Sequence, residues 1–195
     1  MISGVDRNVG RIAAALQRHE LARDTVIIFA SDHGMYYGER DLSDCWQLNE
    51  QPLRVPLIVC DPRRDPGGWR RTELALNIDV APTILELAGV PVPGLMQGRS
   101  LVPLFEDDPA PGWRTEFFCE HLFERSDIPR GEGCRTEHTK YLRYFEQDPV
   151  YEELYDLRTD PDESVNLATD PRHAQLLAEM RRRCDRLCAA AKRSP

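Results

Sequence analysis

One short segment constrains the fold of this chain more than any other: the apolar run Val26 to Ala30, followed directly by Ser31-Asp32-His33-Gly34. Five apolar residues without polar alternation, after an amphipathic helical pattern over residues 4–19, are typical of a parallel strand that is buried on both faces. A second apolar run, Val55 to Val59, predicts another strand. With a further helix predicted over residues 81–88, this order of elements indicates an α/β layered core.

The predicted helix Ala81 to Ala88 carries a start and a stop signal. Asn77 or Asp79 is suited to cap its N-terminus, and Pro82 is tolerated in its first turn. Gly89 follows the last apolar position and is expected to end the helix.

The composition changes around the segment 107–112, which reads Asp-Asp-Pro-Ala-Pro-Gly. Such a cluster of turn-forming residues predicts a boundary between a core unit, 1–108, and a C-terminal unit, 109–195. Aromatic residues and turn-type spacers in the second unit favour an antiparallel sheet. Its predicted strands are 116–121, 134–136, 141–145 and 153–157, and a closing helix is predicted over 171–191. The C-terminal unit is therefore expected to be a small α+β unit.

Charge and composition exclude some function classes. The net charge is −8, and no basic stripe is available to neutralise phosphates, so no nucleic-acid partner is expected. No run approaches the ~18 apolar residues of a membrane helix. The first ten residues lack the pattern of a signal peptide, so the chain as given would be cytoplasmic, while a leader further upstream would make it periplasmic or secreted. The six cysteines show no CxxC spacing and are expected to be free thiols.

Asp32 and His33 are the most informative polar residues because they follow a buried strand. Open α/β sheets bind ligands at the carboxyl ends of their strands. A carboxylate suits Ca²⁺ or Mg²⁺, and an adjacent imidazole can ligate the metal or hydrogen-bond an anion beside it. The alternative is that Asp32 caps a turn and His33 lies on the surface.

Four segments, in order along nearly the whole chain, together resemble one known family. They are Thr25 to Gly34, Gly38-Glu39-Arg40 with Leu53 to Val59, Asn77 to Gly89 with Gly98 to Leu101, and Glu153 to Ala168. This pattern is similar to that of sulfatases, in the alkaline-phosphatase-like superfamily. The resemblance implies the C-terminal part of an alkaline-phosphatase-like α/β/α core followed by a small α+β unit.

The resemblance implies a sulfuric ester hydrolase that acts on sulfated carbohydrate. Its cofactor would be one divalent cation, Ca²⁺ or alternatively Mg²⁺, with Asp32 and His33 as ligands. Its nucleophile would be a formylglycine in an N-terminal part of the same enzyme, so we expect the chain to need that part and to be inactive alone. Two alternatives stay open: a phosphonate or phosphodiester hydrolase of the same superfamily, or a non-catalytic remnant that only binds a ligand or partner.

Two cysteines bear on this resemblance. Cys60 begins a C-x-P-x-R sequence, the pattern that is matured to formylglycine, but it follows an ordinary strand and comes after the Asp-His pair. We therefore interpret Cys60 as a decoy and assign no catalytic residue. Cys45 stands where family members usually carry a lysine that contacts the sulfate, and a thiol cannot supply that positive charge.

Three residues are candidates for substrate binding by resemblance. His121 belongs to a Glu-His pair at a predicted strand end, and the segment containing Arg135 faces the same cleft in relatives. Arg40 could supply the cation that Cys45 does not. A lone histidine more often has a structural role, so that alternative stays open for His121.

Overall fold

A computed structural model describes residues 2–64, 68–106 and 111–192 of the chain. Contacts within these residues divide the chain into two units that differ from the predicted 1–108 and 109–195. The first unit joins residues 1–32 and 55–70, and the second joins residues 33–54 and 71–195. The predicted boundary at 107–112 lies mostly outside the described residues and stays a prediction.

The first unit contains one helix and two strands: α1 (Ile2–Arg18), β1 (Ile27–Ala30) and β4 (Leu57–Cys60). Helix α1 confirms the amphipathic pattern predicted over 4–19. None of its described residues is buried, and its apolar side chains Val5, Val9 and Ile12 are 44%, 36% and 58% exposed.

The prediction for the first strand is wrong in direction and in burial. Strand β1 pairs with β4 antiparallel, with Ile27 opposite Cys60 and Ala30 opposite Leu57. Its residues are half-buried or exposed, not buried on both faces. A short apolar run without alternation specifies a strand but not its direction, and within the described residues β1 has a hydrogen-bonded neighbour on one edge. Strand β4 also begins two residues later than predicted because Pro56 has no N–H for a ladder.

The second unit begins with short elements that follow His33. Strands β2 (Tyr36–Tyr37) and β3 (Ser43–Asp44) pair antiparallel, and the single-turn helix α2 (Glu50–Leu53) comes next. The polar, loop-like stretch predicted here is therefore a tight hairpin followed by a helical turn.

Helix α3 (Val80–Leu87) confirms the helix predicted over 81–88, but the expected cap has another role. The carboxylate of Asp79 makes no capping bond to this helix. It accepts hydrogen bonds from the backbone N–H groups of Leu76 and Arg99, both at 2.8 Å, and pairs with the Arg114 guanidinium. Asp79 has no exposed area, so this carboxylate ties three segments together inside the unit.

The C-terminal part of the second unit is an antiparallel sheet covered by a helix, as predicted. The four strands lie in the order β5-β6-β7-β8, and helix α4 packs against the sheet. Their bounds are β5 (Glu116–His121), β6 (Gly131–Thr136), β7 (Thr139–Tyr144), β8 (Tyr151–Asp156) and α4 (Ala174–Ala191). The core between them contains Cys134, Tyr141, Leu154, Leu177, Met180 and Cys184.

Two further sequence predictions can be compared with this fold. All six cysteines are free thiols, as expected. Among the described helices, none combines the length and the apolar character needed to cross a bilayer.

Candidate functional site

Asp32 is the last residue of the first segment of the first unit and the second residue after the end of strand β1. Its side chain is exposed, and its Oδ1 accepts a hydrogen bond from the Ser31 hydroxyl at 3.4 Å. An exposed carboxylate at a strand end is a hard oxygen donor of the kind that Ca²⁺ and Mg²⁺ prefer.

His33 is the first residue of the second unit, and its two ring nitrogens face different groups. Nδ1 lies 2.7 Å from the Gly34 carbonyl oxygen, which can only accept, so Nδ1 carries the proton of this bond. In the neutral ring the lone pair is then on Nε2, which is the atom able to bind a metal or accept a proton. Nε2 lies 3.7 Å from the Sγ atom of Cys45. Cys45 thus contacts the histidine of the candidate site.

Gly34 fixes the backbone directly after His33 because it packs against helix α2. Its N–H donates to the Pro52 carbonyl oxygen at 2.7 Å. A Cβ atom at this position would lie 2.0 Å from the carbonyl oxygen of Gln51, well inside van der Waals contact. Glycine is therefore required here, and the position of α2 determines the position of the Gly34 backbone.

Helix α2 is in turn held by a buried network of charges. Lys140 Nζ lies 3.0 Å from Glu50 Oε1 and 3.0 Å from Glu163 Oε1. The Glu50 backbone N–H donates to Glu163 Oε2 at 2.8 Å, and Arg135 Nε donates to Glu50 Oε1 at 2.9 Å. Glu163 adopts a φ of 56°, a region that few residues other than glycine occupy. The backbone of Glu163 is therefore strained, and its side chain accepts the hydrogen bond of the first backbone N–H of α2.

The arginines predicted to bind substrate both belong to this network. Arg135 pairs with Glu50, as described above. The Arg40 guanidinium donates to the Glu163 carbonyl oxygen and to the Tyr155 hydroxyl, the latter at 2.9 Å, and lies 3.7 Å from Glu153. Burial and the neighbouring Tyr155 and Glu153 act on this guanidinium in opposite directions, and the net effect raises the pKa of Arg40. Both guanidinium groups therefore bind protein groups in the second unit.

His121 lies in a cluster of rings at the end of β5. Its ring centroid is 5.8 Å from that of Trp46, and Trp46 stacks on Phe123 at 5.4 Å with an interplanar angle of 17°. Burial lowers the pKa of His121, so the ring is more readily neutral. Its Nε2 is buried, and within the described part of the chain it has no hydrogen-bond partner.

Cys60 is the last residue of β4, where it pairs with Ile27. The motif that follows it folds back on itself, because Asp61 accepts hydrogen bonds from the backbone and side chain of Arg63 and pairs with Arg64 at 3.4 Å. This ordinary strand end is consistent with the interpretation of Cys60 as a decoy, which stays a prediction.

The described residues supply only part of a metal shell. Among residues 2–64, 68–106 and 111–192, no three His, Cys, Asp or Glu side chains come together as metal ligands. The carboxylate of Asp32 fits a hard cation, but Ca²⁺ prefers six to eight oxygen ligands. The donor set of this chain therefore does not by itself make a closed cation site.

The network beneath α2 was not predicted from the sequence. Lys140, which directly precedes the buried residues Tyr141 and Leu142 in strand β7, was not recognised as a buried cation. Glu163 was noted only as part of a resemblance segment. The signal for Lys140 is a charged residue at a strand position that is expected to face inward. The signal for Glu163 is an acidic residue that follows a turn within a segment resembling the family.

A family model described as "N-sulphoglucosamine sulphohydrolase, C-terminal" matches residues 38–190. Among curated proteins, the N-acetylglucosamine-6-O-sulfatase of Bacteroides thetaiotaomicron is 31% identical over 185 residues. That match covers 92% of this chain and 33% of the relative. The chain thus spans about a third of the length of such relatives.

Two solved structures have the same fold as this chain. One is that of a protein in complex with its substrate D-glucosamine-2-N,6-O-disulfate, with a TM-score of 0.87 and 29% identity over 95% of this chain and 38% of that one. The other is the phosphonate monoester hydrolase of Agrobacterium radiobacter, with a TM-score of 0.86 and 28% identity over 97% of this chain and 40% of that one. The fold class predicted from the sequence, the C-terminal part of an alkaline-phosphatase-like fold, is confirmed.

Proposed function

The chain belongs to the sulfatase family, as the C-terminal portion of its alkaline-phosphatase-like fold, and we propose that the protein carrying it hydrolyses sulfate esters of carbohydrates. The observation that carries the proposal is the family match over residues 38–190, which begins five residues after His33. The named substrate of a structural neighbour, a disulfated glucosamine, supports a sugar sulfate as the class of substrate.

Sulfatases of this family use a divalent metal and a formylglycine. We propose that the metal is Ca²⁺, with Mg²⁺ as the alternative, and that Asp32 and His33 are two of its ligands. When bound, the cation supplies positive charge that stabilises the sulfate oxygens. The remaining ligands and the formylglycine would come from the N-terminal part of the family fold. What this chain contributes is one carboxylate oxygen donor and an imidazole whose Nδ1–H is oriented by the Gly34 carbonyl.

We further propose that Arg40 and Arg135 act on the site indirectly. Their guanidinium groups bind Glu163, Tyr155 and Glu50, so a substrate sulfate would have to compete with these partners. Their proposed role is to hold the segment 39–50 and helix α2, on which the backbone of Gly34 packs. His121, whose Nε2 is directed at no protein acceptor or donor among the described residues, is the better candidate to meet substrate.

A second candidate is hydrolysis of phosphonate monoesters. The likeness to the Agrobacterium enzyme favours it, because the phosphonate and sulfate groups are both tetrahedral oxyanions. A thiol at position 45 leaves less positive charge beside His33 than a lysine would, which affects binding of either anion.

The discriminating experiment is a comparison of two substrates. The protein is expressed from its native locus, so that any adjoining in-frame coding sequence is retained, and kcat/KM is measured for p-nitrophenyl sulfate and for p-nitrophenyl phenylphosphonate. The proposal predicts a higher kcat/KM for the sulfate ester. A higher value for the phosphonate would favour the second candidate, and turnover of neither would favour a binding role.

A further inference from the structure

We propose that Trp46, His121, Phe123 and Arg125 form a stacking platform for the pyranose ring of the sulfated saccharide. These four residues are called the aromatic platform below. The inference rests on the proposed function, because it names where the sugar ring of that substrate would lie.

The aromatic platform consists of rings in mutual contact with one ring open to solvent. Trp46 and Phe123 are nearly parallel, with centroids 5.4 Å apart. The Arg125 guanidinium lies 5.5 Å from the centroid of the Trp46 ring. Phe123 is 56% exposed even though it stacks on Trp46, so a large part of its ring surface faces solvent. A stacked aromatic pair with one ring exposed offers a flat apolar face on which another ring can pack.

Polar contacts hold both Trp46 and Arg125 in the aromatic platform. A hydrogen bond from Trp46 to the side chain of Asp44 lowers the pKa of that carboxyl, as does one from Cys45. Arg125 is held by Asp127, which accepts from Nε at 2.8 Å and from a terminal nitrogen at 3.0 Å. A platform that is ordered before the ligand arrives loses less conformational entropy on binding.

The position of the aromatic platform connects it to the proposed sulfate site. Trp46 directly follows Cys45, whose Sγ lies 3.7 Å from His33 Nε2. A sulfate group near His33 would therefore place the sugar ring that carries it towards Trp46 and Phe123. All of these residues belong to the second unit.

The chemistry of the aromatic platform fits a sugar better than an apolar partner. A pyranose has a face of weakly positive C–H groups, which suits the negative face of an aromatic ring, and an edge of hydroxyl groups. Around the rings lie groups that bind hydroxyls: the buried Nε2 of His121, the Arg125–Asp127 pair and Asp44. A docking protein helix would need a wider apolar surface, and Leu122, 49% exposed, is the sole large aliphatic neighbour in the segment 121–125.

The test uses saturation-transfer NMR on the protein expressed from its native locus, so that any adjoining in-frame coding sequence is retained, with three probes: glucose 6-sulfate, glucose and inorganic sulfate. Ring protons of both sugars should receive saturation from aromatic protons at concentrations on the order of 10 mM, the range expected for one ring contact. Phe123→Ala should weaken binding of both sugars about tenfold and leave inorganic sulfate unchanged. Leu122→Ala, which removes an exposed apolar group beside the aromatic platform, should leave sugar binding unchanged.

The outcomes separate this inference from the proposed function. If Phe123→Ala weakens both sugars and glucose 6-sulfate binds more tightly than glucose, both are supported. If Phe123→Ala weakens both sugars but the sulfate adds no affinity, the aromatic platform stands and the proposed sulfate function loses support. The aromatic platform is overturned if the sugar ring protons receive no saturation, or if neither Phe123→Ala nor Trp46→Phe changes sugar binding. Either result holds independently of the binding of inorganic sulfate.

Discussion

Lys140 and Glu163 form an ion pair in the interior of the second unit, with Nζ 3.0 Å from Oε1 and neither side chain exposed. The same ammonium group lies 3.0 Å from Glu50 Oε1, so one cation joins the strand β7, the turn at 163 and helix α2. Removing these charges from water is costly, and mutual pairing offsets that cost. Because α2 packs on Gly34, this pair links the C-terminal sheet to the backbone beside His33.

Replacing Lys140 by methionine should lower the free energy of unfolding by about 3–5 kcal/mol, because two carboxylates lose their buried cation. The double variant Lys140→Met, Glu163→Gln should recover part of that loss, since fewer charges are left unpaired. Urea denaturation measures both. The matched control is Arg158→Met, which breaks the exposed pair with Asp156 and should cost at most about 1 kcal/mol. Equal losses for Lys140→Met and Arg158→Met would contradict this account of the network.

The network should also make stability depend on pH through Glu50. Burial opposes ionisation of this carboxyl, but Lys140 and Arg135 outweigh it and lower the pKa of Glu50. The pKa is lower in the folded state than in the unfolded chain, where it is about 4.3. Ionised Glu50 therefore stabilises the fold above that value, and this contribution is lost as the pH falls through the lowered pKa. Glu50→Gln should flatten the loss of stability below pH about 5. Parallel stability curves for the two proteins would rule this contribution out.

Cys60 should remain a cysteine when the chain is co-expressed with the formylglycine-generating enzyme. It ends an ordinary antiparallel strand, and Asp61, Arg63 and Arg64 of its motif pair with one another. Peptide mass spectrometry would detect conversion as a loss of about 18 Da, because an aldehyde replaces the thiol. Substantial conversion would make Cys60 a candidate nucleophile again.

The isolated chain should bind an apolar dye and associate in solution. Helix α1 has no buried residue, and Ile2, Val5 and Ile12 are 85%, 44% and 58% exposed. Strand β1 is paired with β4 along one edge in the described residues, and open strand edges and apolar faces both favour association. ANS fluorescence and light scattering measure this. The variant Val5→Lys, Ile12→Lys should reduce both signals, and a monodisperse wild-type monomer that binds little dye would contradict the prediction.

The features predicted best from the sequence are the helices and strands whose bounds depend on local patterns of residues. Strand β5 was predicted with its observed bounds because its aromatic residues and flanking turn residues are local signals, and α3 and α4 were predicted within a few residues from their own local patterns. The direction of β1 was missed, because an apolar run such as Val26 to Ala30 is equally suited to a parallel or an antiparallel neighbour. That neighbour lies about 30 residues away along the chain.

The candidate site was predicted unevenly for a related reason. Asp32 and His33 were identified because they follow a strand and match a family segment. The partners of Arg40 and Arg135 were not, since Arg40 meets Glu163 across a separation of 123 residues and Arg135 meets Glu50 across 85. A surface arginine and a buried structural one have the same local sequence pattern, and only the folded chain distinguishes them. The contact between His33 and Cys45 was not predicted, because no local signal indicates it.

The most direct test of the central claim, that Asp32 binds the cation of a sulfatase site, is the effect of Asp32→Ala on turnover of p-nitrophenyl sulfate. The protein is expressed from its native locus, and Asp162→Ala, which removes an exposed carboxylate, is the control. We predict that Asp32→Ala lowers kcat/KM by at least about a thousandfold, because the stabilisation of charge by the metal is lost, and that Asp162→Ala leaves it unchanged. We also expect the isolated chain to show no turnover, since it supplies too few ligands for the cation. Turnover by Asp32→Ala equal to that of the wild-type protein would contradict the claim.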